Sequence, residues 1–239
     1  MDRSRRDLLK ATAVLAPALG LRHASAQQTL PKDDILNSAP PPPEPAEDNY
    51  HPGYFTPDEW AFVNAACDRL IPKDENGPGA VELGVPQYID RQMQTPYADG
   101  AIWYMQGPFI EAKPEFGYQS RLTPKEQYRL GIRAIDAHCR TAFGKSFAQL
   151  SPADQDDTLK KIESGAIKSN DAPLGTFFTS FLLRNTMEGY FGDPMYGGNK
   201  DMAAWKMIGY PGVRADYLEW VDQGHRYPYG PVSIHGRRG

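Results

Sequence analysis

The stretch TPDEWAFVNAACDRLIP, from Thr56 to Pro72, contains the start, the buried face and the end of one helix. Thr56 and Glu59 have the spacing of a capping box, and Pro57 lies at the first helical position, where its missing N–H costs no hydrogen bond. The apolar residues recur at helical spacing until proline ends the pattern; they are Trp60, Val63, Cys67, Leu70 and Ile71. The stretch therefore predicts a helix with one apolar face that must pack against other elements.

The same start signal occurs twice more along the chain. Thr123-Pro124-Lys125-Glu126 begins a predicted helix that Gly144 stops, and Ser151-Pro152-Ala153-Asp154 begins another that ends at Gly165. Two further helices are predicted, from Pro86 to Gln94 and from Gly175 to Tyr190. Since no hairpin signal joins alternating strands, the sequence predicts a mostly α fold: a single irregular helical domain with long loops over residues 54–239.

The first 26 residues are typical of a twin-arginine export signal. Arg5 and Arg6 precede a short apolar run, and the small residues Ala24 and Ala26 predict cleavage after Ala26. The apolar run is about half the length that a bilayer-spanning helix needs, which favours a signal over an anchor. This export route carries folded chains, so we expect a periplasmic protein that folds before export.

Residues 27–53 are predicted to form a proline-rich extended linker. The run Pro40-Pro41-Pro42-Pro43-Glu44-Pro45 and the scarcity of apolar residues favour an extended conformation over a packed core. The chain as a whole has a formal net charge of −4 and no basic cluster. This charge argues against a nucleic-acid partner or an anionic membrane surface.

The motifs of common enzyme sites are missing from the sequence. There is no C-x-x-C-H for covalent haem, and Cys67 and Cys139, the two cysteines, cannot supply the four thiolates of an ordinary iron–sulfur cluster. The stretch Gly77 to Glu82 begins like a dinucleotide fingerprint, but Glu82 replaces its third glycine. We therefore predict no catalytic, cofactor-binding or metal-binding residue in this chain.

The two cysteines lie on apolar faces of predicted helices, and the expected compartment is oxidising. These conditions favour a Cys67–Cys139 disulfide that closes a long loop. The alternative is two buried thiols that pack as small hydrophobic groups.

The densest local signal is Glu188 to Gly212, EGYFGDPMYGGNKDMAAWKMIGYPG. Asp193-Pro194 and the glycines that follow indicate turns, and Asp201 could cap a short helix. Aromatic residues beside glycines suit a protein interface, although buried aromatic residues look the same in sequence. The candidates for a partner interface are Tyr196, Gly197, Gly198, Asn199, Trp205 and Tyr210.

Together with Leu70-Ile71-Pro72-Lys73-Asp74 and Gly77-Pro78-Gly79-Ala80, this pattern resembles the gluconate 2-dehydrogenase subunit 3 family, from about Thr56 to Gly212. The resemblance implies a small gamma subunit without a cofactor. Its partners would be a large subunit of the glucose–methanol–choline type that holds FAD, and a multi-haem cytochrome c that holds haem c and attaches the complex to the membrane. The implied role is assembly, stability and twin-arginine co-export of the flavoprotein.

Two other functions remain open from the residues alone: a stand-alone periplasmic enzyme with an unrecognised site, and a binding protein for a sugar acid. The substrate of the complex is also open, because the large subunit selects it. Gluconate, 2-ketogluconate, fructose, glucose and sorbitol are all compatible with the family.

Overall fold

The structure, a computed structural model, describes residues 49–110, 113–214, 218–225 and 227–239. The export signal with Arg5, Arg6, Ala24 and Ala26, and linker residues 27–48, lie outside the described residues. The α-helices are α1 (Pro57–Leu70), α2 (Val85–Gln92), α3 (Pro124–Phe143), α4 (Pro152–Glu163), α5 (Leu174–Thr176), α6 (Arg184–Phe191) and α7 (Ala203–Ile208). A π-helical segment, Phe177–Leu183, joins α5 to α6. Short 3₁₀ helices are Pro96–Asp99, Pro114–Phe116, Phe147–Gln149, Pro194–Tyr196, Lys200–Met202 and Leu218–Trp220.

The capping signals act as predicted. Thr56 with Glu59 forms a complete capping box at α1, and Thr123 with Glu126 forms another at α3. At α4 the Ser151 side chain accepts a hydrogen bond from the Asp154 amide. These side chains satisfy backbone N–H groups that lack helical partners, so the helix starts are determined locally.

The core lies between the first four helices and the continuous rod made by α5, the π-helical segment and α6. Helix α2 packs on α6, and α3 packs on the π-helical segment. Phe177, Phe181 and Tyr128 are buried there, and the rings of Tyr128 and Phe177 meet edge-on with centroids 5.3 Å apart. The prediction of a mostly helical fold with long loops is confirmed, and the described residues contain isolated bridges but no extended strand.

One buried carboxylate holds the chain segment that leads into α1. Asp90 on α2 is fully buried and accepts hydrogen bonds from the amides of Gly53, Tyr54 and Phe55 at 2.8–3.0 Å. It also accepts from the Tyr50 hydroxyl at 2.8 Å and from Gln94 Nε2 at 2.9 Å. Five donors on one buried carboxylate fix where the chain enters the domain.

The C-terminal segment, residues 227–239, returns to the end of α7. Val232 pairs with Gly212 and with Arg238 in isolated bridges. The Ile234 amide donates to Asp193 Oδ2 at 2.7 Å, which ties this segment to the turn after α6. Within the part of the chain that the structure describes, no helix is long and apolar enough to cross a membrane.

Candidate partner-binding site

The segment from Asp193 to Gly212 is an ordered loop with two turns and the short helix α7. Asp193 caps the first turn, because its side chain accepts a hydrogen bond from the Met195 amide at 3.0 Å. Gly197 follows with a φ of 98°, a conformation that residues with a Cβ rarely adopt. The predicted turn chemistry is therefore confirmed at Asp193 and Gly197.

Gly198 has a different role: it lets the loop backbone approach helix α6 closely. A Cβ at this position would collide with the carbonyl oxygen of Gly189 on α6. Both Gly197 and Gly198 are buried, so these two interface candidates bring the loop against α6 and present no side chain to a partner.

Asn199 fixes the loop from inside. It is fully buried, its Nδ2 donates to the Gly192 carbonyl at 2.9 Å, and its Oδ1 accepts from the Ala204 amide at 3.0 Å. The expectation that Asp201 caps the short helix is wrong: Asp201 lies in the preceding 3₁₀ turn with a φ of 56°, and Met202 is the N-cap of α7. The amide oxygen of Asn199 reaches the first turn of α7 instead.

Trp205 belongs to the interior of the domain. It is 5% exposed, and its indole N–H donates to the Phe191 carbonyl at 2.6 Å. This hydrogen bond satisfies the polar atom of a buried tryptophan and joins α7 to the end of α6. Of the two roles that the sequence left open for Trp205, the structure places it in the core.

Tyr196 and Tyr210 are the interface candidates that reach the surface. Their exposed fractions are 47% and 46%, and Tyr210 stands edge-on against Trp205 with centroids 5.1 Å apart. Other large apolar side chains near them in sequence are also exposed: Phe191, Met195, Met207 and Ile208. The loop thus has a rigid, buried interior and an outer surface rich in aromatic and apolar groups, which suits a protein interface.

The predicted Cys67–Cys139 disulfide is not formed: both thiols are free and buried. The reason is that each faces a different helix. Cys67 Sγ lies 3.7 Å from Thr186 Oγ1 on α6, whereas Cys139 has Thr158 of α4 as its hydrogen-bonding neighbour. Burial raises the pKa of the Cys67 thiol to about 12 and that of Cys139 to about 11, which keeps both protonated and unreactive near neutral pH.

We expect the native protein to resist alkylation at both cysteines and the protein unfolded without reductant to take up two labels. Burial and the raised pKa values suppress the native reaction, and unfolding removes both causes. Mass spectrometry after iodoacetamide treatment measures the labels, with protein unfolded in the presence of reductant as the control. If the unreduced unfolded protein takes up no label while the control takes up two, the two cysteines are joined by a disulfide in the native protein.

A groove that the sequence did not predict lies beside Tyr210. Its walls are Trp205, Tyr210, Tyr227, Tyr229 and the prolines Pro228 and Pro231. Residues 227–231 lie beside α7 next to the pairing of Val232 with Gly212, twenty positions away in the chain, and no local pattern signals that pairing. Among the described residues, no group of three or more His, Cys, Asp or Glu side chains is placed to hold a metal ion.

A family model described as gluconate 2-dehydrogenase subunit 3 matches residues 57–212. The match begins at the first residue of α1 and ends where the C-terminal segment pairs with the loop, so it includes both exposed tyrosines. Comparison with curated proteins and with solved structures gave no match. Because the family model covers well over half of the chain, this protein belongs to the gluconate 2-dehydrogenase subunit 3 family.

Proposed function

We propose that this chain is the non-catalytic small subunit of a periplasmic, membrane-associated complex of the gluconate 2-dehydrogenase type. It binds an FAD-containing large subunit of the glucose–methanol–choline type, stabilises it, and carries it through the twin-arginine route. A multi-haem cytochrome c completes the complex and accepts the electrons. This subunit itself contributes binding surface and an export signal.

The observation that carries the proposal is the difference in burial between residues of the family-matched loop, Asp193 to Gly212. Gly197, Gly198 and Asn199 are buried and fix the backbone, whereas the side chains of Tyr196 and Tyr210 are about half exposed to solvent. Rigid aromatic side chains lose little conformational entropy when they bind, which is why they dominate interface hot spots. A loop built in this way supports a partner-binding role.

We expect Tyr196→Ala and Tyr210→Ala each to leave the subunit folded but to weaken its association with the flavoprotein. A hot-spot tyrosine contributes about 2 kcal/mol or more, which corresponds to an affinity roughly thirtyfold lower. The measurements are copurification of the FAD-containing protein with a tagged subunit, and circular dichroism of the subunit alone.

Two variants separate an interface role from a loss of folding. Phe143→Ala removes a similarly exposed aromatic side chain at the end of α3, 38% exposed, and should retain the partner. Trp205→Ala removes a buried ring and should lower the subunit's own melting temperature. Full copurification by both tyrosine variants would exclude this loop from the interface.

A further inference from the structure

The groove beside Tyr210 has one wall that lies outside the family-matched residues 57–212. Tyr229 and Pro231 of the C-terminal segment line the same groove as Trp205 and Tyr210, and its volume is about 290 Å³. The groove therefore joins the candidate partner-binding loop to a segment that the family model does not cover.

Backbone hydrogen bonds attach this segment to the loop. The Val213 amide donates to the Val232 carbonyl at 2.7 Å, and the Val232 amide donates to the Pro211 carbonyl at 3.1 Å. The bond from the Ile234 amide to Asp193 Oδ2 adds a third connection. These bonds fix the position of the C-terminal segment relative to the loop.

Tyr229 is an exposed ring on a rigid support. Its side chain is 60% exposed, and its ring stands edge-on to those of Tyr227 and Trp220, with centroids 5.4 Å and 6.1 Å away. The Arg214 guanidinium lies 5.6 Å from the centroid of the Tyr229 ring, and Arg214 Nη2 donates to the Gly230 carbonyl at 2.8 Å. Aromatic and cation–π contacts of this kind hold the Tyr229 ring in place before any partner binds.

Both elements that form the groove also carry exposed apolar side chains. Met207 and Ile208 are exposed on α7, and Tyr229 and Ile234 are exposed on the C-terminal segment. Soluble proteins that remain monomeric rarely expose large apolar patches, and such patches mark interaction sites. Because Tyr210 belongs to the proposed partner surface, the groove continues that surface.

The lining of the groove favours an apolar occupant. The Trp205 indole N–H already donates to the Phe191 carbonyl, so it is engaged within the domain. Pro228 and Pro231 have no backbone N–H, and among the described residues that line the groove only Lys206 carries a charge. Aromatic pockets of this kind take the apolar or aromatic anchor residues of a partner protein.

We propose that the groove is a pocket of the partner surface and holds an apolar or aromatic side chain of the flavoprotein between Tyr210 and Tyr229. Tyr229 contacts that side chain directly, and Arg214 positions the Tyr229 ring. The inference rests on the proposed function, because it names the occupant of a groove on the same surface. It adds the C-terminal segment to the binding site.

A double-mutant cycle on the association of the purified subunit with the FAD-containing large subunit tests the proposal. We expect Tyr229→Ala to lower the affinity at least about tenfold while the circular dichroism of the subunit is unchanged. Because Tyr210 and Tyr229 contact one side chain, the double variant should lose at least about fivefold less affinity than the product of the two single losses. Tyr104→Ala removes an exposed tyrosine outside the groove and should bind at wild-type affinity.

A photoreactive variant, Tyr229→p-benzoylphenylalanine, identifies the occupant directly. It keeps an aromatic ring at the wall of the groove, so it also decides the question if Tyr229→Ala fails to fold. Irradiation of the complex should link position 229 to the flavoprotein. The same residue placed at position 104 should give no such link.

Failure of the wild-type subunit to bind the flavoprotein overturns both this inference and the proposed function. Binding that Tyr196→Ala weakens but Tyr229→Ala leaves at wild-type affinity overturns this inference alone. The same holds if the effects of Tyr210→Ala and Tyr229→Ala simply multiply, or if position 229 links to a second copy of this chain and not to the flavoprotein.

Discussion

Asp90→Ala should lower the free energy of unfolding by about 3–5 kcal/mol, more than any other single carboxylate substitution that we consider. The substitution leaves the amides of Gly53, Tyr54 and Phe55 without their acceptor. It also removes the acceptor of the Tyr50 hydroxyl and of Gln94 Nε2. For a domain of this size the loss corresponds to a melting temperature lower by on the order of 10 °C, measured by circular dichroism.

The matched control is Asp99→Ala. Asp99 pairs with Lys125 at 2.9 Å, but its side chain is 64% exposed, so we expect a loss below about 1 kcal/mol. Asp90→Asn keeps one acceptor oxygen, so its loss of unfolding free energy should lie between those of Asp90→Ala and Asp99→Ala. Equal melting temperatures for Asp90→Ala and Asp99→Ala would show that the entry segment does not depend on Asp90.

Export should depend completely on the paired arginines. Arg5→Lys combined with Arg6→Lys keeps both positive charges but removes the guanidinium pair that the twin-arginine route recognises. We expect the subunit of this double variant to stay in the cytoplasm, as measured by fractionation and blotting. The control is Arg3→Lys with Arg22→Lys, which exchanges two arginines of the same segment outside the pair and should leave export unchanged.

The parts of the fold that the sequence predicts are those with local causes. Thr56 and Glu59 are three residues apart, so the start of α1 is visible in the sequence before any tertiary contact is known. Asp90 shows the opposite case, because its backbone donors lie 35–37 positions away and no local pattern identifies the carboxylate that binds them. The sequence does not predict the π-helical segment either, because the apolar residues of Gly175 to Tyr190 have ordinary α-helical spacing.

The candidate partner-binding site also combines features that local sequence predicts with features that only the packing determines. Glycines and Asn199 mark the turns correctly, but Trp205 and Tyr210 are indistinguishable by residue type. Only the packing separates them, with Trp205 5% exposed and Tyr210 46% exposed. The disulfide prediction failed for a related reason: helical spacing shows that each cysteine is buried, but it does not show which neighbouring helix each one faces.

The most direct test of the escort function is the location of the flavoprotein when only this subunit's signal is changed. In cells that carry Arg5→Lys with Arg6→Lys, the FAD-containing partner is measured in the periplasmic and cytoplasmic fractions by blotting and by bound flavin. We predict that the partner is retained in the cytoplasm together with this subunit, while the Arg3→Lys, Arg22→Lys control exports both. A normal amount of flavoprotein in the periplasm of the Arg5, Arg6 variant would contradict the account.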